Sequence, residues 1–120
     1  MHPKKALDGL TFVNEVTSKK QTYYVYKGVE HYVLMTFNKT RSSYSLNVVA
    51  EEACEYVRRL FAGESQVTTA QVVEKSKKPV LVKENFEALN VLYTLCATGA
   101  AKIDKRFKGK KLYFNVYSIK

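Results

Sequence analysis

From Leu10 to Val49 the apolar residues recur with period two, broken only by short polar turns. This constrains the fold more than any other feature of the chain. Thr11–Val16, Gln21–Tyr26, His31–Asn38 and Ser43–Val48 read as strands rich in Thr, Tyr, Val and Phe, the residues that suit a pleated surface. The connections Thr17–Lys20, Lys27–Gly28 and Lys39–Ser42 are too short for the crossover that a parallel pair needs. The expectation is an antiparallel meander of four strands, with Tyr44, Leu46 and Val48 on one face. So small a sheet must cover one face with another layer.

The second half changes period. Val49 to Ala62 places Ala50, Ala53, Cys54, Val57, Leu60 and Phe61 on one helical face, with Asn47 as the expected N-cap and Gly63 beyond the C-terminus. Thr68-Thr69-Ala70-Gln71 has the spacing of a capping box and opens a helix expected to run to about Ser76. Pro79 then enforces an extended connection. Val82, Phe86, Leu89, Leu92 or Tyr93, and Cys96 define a helix over Lys83–Thr98, which Gly99 stops. Ala100–Asp104 and Leu112–Tyr117 read as the two arms of a hairpin. The fold class is therefore α+β. Residues 1–49 form a sheet region and residues 50–120 a helical module with a hairpin, sharing one core through the helix Val49–Ala62.

Charge is polarised along the chain. The formal total is +9, and residues 102–120 hold seven basic groups against one acidic. Residues 50–101 are nearly balanced, and residues 1–49 hold seven basic against three acidic. A field of this shape attracts polyanions. Lys105, Arg106, Lys108, Lys110 and Lys111 crowd the hairpin tip around Phe107 and suit phosphate contact, with Phe107 placed to insert at a groove or stack on a base. Lys39 and Arg41 make a second phosphate-compatible turn.

Phe86-Glu87-Ala88-Leu89-Asn90-Val91-Leu92-Tyr93, then Gly99-Ala100-Ala101-Lys102-Ile103 and Gly109-Lys110-Lys111-Leu112-Tyr113-Phe114, resembles the second half of winged-helix domains. The resemblance spans about residues 50–117 and rests on element order and turn residues. It implies that helix Lys83–Thr98 lies in the major groove of double-stranded DNA, presenting Lys83, Asn90 and Thr94, while Lys105–Lys111 serves as the wing. On this resemblance the chain is expected to be a DNA-binding regulator or accessory protein. Glu84 and Glu87 on that helix oppose phosphate, so the wing is expected to carry most of the affinity.

The other expectation is a protein-interaction or assembly module, with the helix Lys83–Thr98 meeting a protein partner or a second copy. Tyr23, Tyr24, Tyr26, Tyr32 and Tyr44 have two roles open to them, base stacking and half-buried packing. No catalytic role is expected. The chain has no P-loop, no GxSxG, no Cys/His spacing for zinc and no carboxylate cluster for magnesium, so neither metal nor cofactor is expected. Cys54 and Cys96 read as reduced core thiols. Met1–Asp8 lacks the apolar run of a secretion signal and no stretch has the length of a membrane span, which together predict a soluble cytoplasmic protein.

Overall fold

Four antiparallel strands run in the order β1 (Thr11–Ser18), β2 (Gln21–Lys27), β3 (His31–Asn38) and β4 (Ser43–Ala50). Three helices follow, α1 (Glu51–Leu60), α2 (Thr69–Lys75) and α3 (Asn85–Thr98), and then a two-stranded hairpin, β5 (Ala101–Ile103) and β6 (Phe114–Val116). The computed structural model describes residues 9–19, 21–38, 40, 42–107, 109 and 111–119. The α+β class with an N-terminal antiparallel meander is as the sequence predicts.

The sheet has two unlike faces. Its inner face carries Val16 and Ser18 from β1, Tyr23 and Val25 from β2, Tyr32 and Leu34 from β3, and Val49 from β4. Tyr23 stacks on Tyr93 of α3 with ring centroids 4.5 Å apart, and the Tyr93 hydroxyl donates to Ser18 Oγ at 3.0 Å. Burial pushes the Tyr93 phenol up to about 12, so it stays a donor at any physiological pH. Tyr44, Leu46 and Val48 do share a face, but it is the outer one, away from the helices.

Gly28 closes the β2–β3 turn, where its N–H donates to the His31 carbonyl at 2.8 Å. The His31 ring lies across this glycine: a Cβ there would stand 2.6 Å from two ring atoms. His31 Nδ1 is 2.7 Å from the Val29 carbonyl, which holds the imidazole in place.

Helix α1 starts later than its apolar pattern implies. Asn47 is not its N-cap; it lies within β4, paired with Leu34, because the β3–β4 ladder continues to His31 and Ala50. Ala50 takes the cap position without a side-chain bond. At its other end Gly63 adopts left-handed backbone, φ 80°. Helix α2 opens with the predicted capping box: Thr68 Oγ1 accepts from the Gln71 N–H and Gln71 Oε1 from the Thr68 N–H. Just before it, Val67 bridges to Phe114 and joins the helical layer to the hairpin.

Helix α3 is the centre of the molecule. It packs on α1, α2 and β5, and the sheet's inner face covers another side. Glu87 Oε1 accepts the backbone N–H groups of Lys83 and Glu84 at 3.0 Å each, so this carboxylate caps the positive end of the helix. Gly99 ends it in left-handed backbone, φ 86°. Valines, leucines and aromatics from every layer join in one core.

Candidate nucleic-acid interface

The hairpin is held by a buried carboxylate. Asp104 follows β5, and Arg106 forks onto it: Nε donates to Oδ1 at 2.9 Å and Nη2 to Oδ2 at 2.5 Å. The Arg106 backbone N–H also donates to Oδ1 at 3.1 Å, and Asn115 Nδ2 donates to Oδ2 at 3.4 Å. The Arg106 contacts hold the Asp104 carboxyl well below the usual carboxylate range. Arg106 thus has part of its donor set committed to the fold.

Beyond this clasp the two arms are zipped by side chains. Phe107 and Tyr113 have ring centroids 4.4 Å apart; Arg106 lies over Phe107 and Lys111 over Tyr113, at 5.7 and 5.9 Å from the ring centres. Phe107 is therefore half engaged with its neighbour, and each ring of the pair carries a cation over it.

Two grooves flank the hairpin, and both reach the end of β1. One, of about 940 Å³, has Thr17 on one wall and Lys102, Lys105 and Arg106 on the other. The second, of about 410 Å³, is lined by Lys19 of the β1–β2 turn, Lys111 of the hairpin and Phe86 of α3. Lys19, Lys102, Lys105 and Lys111 are all exposed around this rim. Glu15 is the exposed acid lining the larger groove, and Asp104 is buried beneath Arg106.

The other predicted contacts separate into three groups. Lys83 is exposed ahead of α3, with its N–H given to Glu87. Asn90 and Thr94 do not face solvent. Asn90 is 6% exposed and Thr94 0%, and the Thr94 hydroxyl donates to the Asn90 carbonyl at 2.8 Å. The sheet's inner face lies against the helix where a DNA groove would have to fit, so neither side chain reaches a base edge in this fold. Lys39, Arg41, Lys108 and Lys110 lie outside the described residues.

No family model, curated protein or solved structure matches the chain.

Lys19 and Lys102 were not singled out by sequence. Lys102 had a signal available, since it alternates outward between Ala101 and Ile103. Lys19 had none, because only the strand order brings the β1–β2 turn to the hairpin. Both cysteines are free thiols, and burial pushes each up to about 12. Among the described residues no cluster of His, Cys, Asp and Glu is placed to hold a metal, and no helix is long and apolar enough to cross a membrane.

Proposed function

We propose that this chain binds the phosphate backbone of double-stranded DNA through its C-terminal hairpin and the adjoining β1–β2 turn, as an accessory or regulatory protein of the cytoplasm. The observation that carries the reading is the meeting of Lys19 and Lys111 in one groove, with Lys102 and Lys105 lining the other. Cations distant in sequence converge there in excess over acids: Glu15 is the exposed acid of the larger groove, and buried Asp104 is matched by Arg106. The order helix, single-residue bridge, helix, helix, hairpin supports a winged-helix-like module, with the hairpin as wing.

The burial of Asn90 and Thr94 shapes what such binding is like. With α3 sealed beneath the sheet, contacts fall on phosphates, which position a protein without reading sequence. Binding to duplexes of unrelated sequence is then expected to agree within a few-fold. Fluorescence anisotropy with labelled duplexes tests this. Lys105→Gln with Lys111→Gln weakens binding to all of them alike, whereas undiminished binding by this double variant overturns the proposal.

A further inference from the structure

We infer that the outer face of the four-stranded sheet is where two copies of this chain associate. The strand register assembles that face row by row. Phe12, Tyr26, Val33 and Val48 lie across one end; Tyr24, Met35 and Leu46 cross the middle; Phe37 and Tyr44 cross the other end. None of the described helices lies on them: Tyr44 is 64% exposed, Phe12 52% and Leu46 42%, while Val33 in the middle of its row is 1% exposed. Among the described residues the only ionisable acid or base in these rows is Glu15, beside Tyr24.

The size of the face suits a second copy. Four strands at about 4.8 Å spacing and eight residues at about 3.4 Å rise give a face of about 500 Å². Two such faces bury about 1,000 Å², near the lower limit for a specific protein interface, and pleat and side-chain relief add to it.

Its charge also points to a copy rather than to a polyanion. The chain carries a formal +9, yet this face has no described lysine or arginine. A nucleic acid stacked on its aromatics would find, among the described residues, none of the basic track that such platforms use. Two positively charged copies, by contrast, approach best through a face that adds no described cation.

Its relief is self-complementary. The Phe12–Tyr26 pair (ring centroids 5.4 Å apart) and the Phe37–Tyr44 pair (5.0 Å) occupy diagonally opposite corners. The other two corners hold Val48 and the smaller pair Thr17 and Thr22. A two-fold axis running along the strands lays β1 over the β4 of the second copy. Each aromatic corner then falls on a low corner, the interlocking that aligned sheet sandwiches use.

The proposal is independent of the hairpin's role, because no hairpin lysine belongs to the face. Sedimentation velocity on the full chain tests it. The expected result is a concentration-dependent species of twice the chain's 13.7 kDa. Association should hold or tighten as salt is raised, since it is apolar. Leu46→Glu and, separately, Tyr44→Ser should each weaken dimerisation at least about tenfold, with the circular dichroism spectrum and melting temperature retained. Val80→Glu, on a 93% exposed residue of the α2–α3 connection, should leave it unchanged. A wild type that stays monomeric up to about 100 µM overturns the proposal. So does a dimer that both face variants leave intact. Quenching of tyrosine fluorescence by oligothymidylate in a monomeric chain, abolished by Tyr44→Ser, would overturn it in favour of base stacking.

Discussion

Neutralising Lys105 and Lys111 should change the salt dependence of DNA binding by a calculable amount. Four described lysines, Lys19, Lys102, Lys105 and Lys111, stand around the two grooves. Arg106 is left out of the count because its Nε and Nη2 are bound to Asp104. If each lysine neutralises one phosphate, log affinity falls against log salt with a slope of about −3.6, at about 0.9 per contact. Affinity then drops about 150-fold between about 50 and 200 mM salt. Lys105→Gln with Lys111→Gln removes two contacts, so the slope falls to about −1.8 and the loss over the same range to about 12-fold. Anisotropy titrations of a labelled duplex at four or five salt concentrations read both slopes. These lysines are exposed, so the variant should melt with the wild type. Equal slopes for the two proteins would refute the reasoning, because the affinity would then come from cations elsewhere.

Three further outcomes test the packing on which the site depends. Tyr93→Phe removes the bond to buried Ser18 and should cost about 0.5–1.5 kcal/mol in urea unfolding, while Tyr93→Ala also empties the Tyr23 stack and should cost about 3–5 kcal/mol. Gly28→Ala drives a methyl into the anchored His31 ring and should cost about 1–3 kcal/mol by the same assay. Asp104 titrates below its ordinary value of 3.8 in the folded chain, so its contribution to stability is present above that pH and is lost as the pH falls below it. The melting-temperature advantage of wild type over Asp104→Asn should accordingly be full at about pH 7 and shrink towards about pH 2, and an advantage constant with pH would contradict this.

The local signals in the sequence translated well into elements. β3 begins at His31 and ends at Asn38 as read, Thr68 and Gln71 form their capping box, and Gly99 stops α3. These are short-range effects of alternation, capping and left-handed backbone, and neighbouring residues suffice to reveal them. What lay beyond reach was which face meets which layer. The spacing of Val82, Phe86, Leu89 and Cys96 implies one buried stripe on α3 and a polar face carrying Asn90 and Thr94. Instead Phe86 is exposed while Val91 and Thr94 are buried, because α3 is enclosed by the helices and the sheet together. A helix buried on most sides has no single apolar stripe. One signal was available: no charged residue occurs from Ala88 to Thr98, which marks a helix with little solvent face. In β4 the alternation of Tyr44, Leu46 and Val48 identified a face correctly. It carried no information on the side from which the helices would come, and they came from the other.

The proposed interface makes the hairpin, and not helix α3, the element that meets the nucleic acid. Amide chemical-shift mapping of the full chain during titration with a short duplex tests this directly. The prediction is that amides of Lys19, Lys102–Phe107 and Lys111 shift progressively while those of Ala88–Ala97 stay in place. Shifts centred on Ala88–Ala97, with the hairpin unmoved, would contradict it.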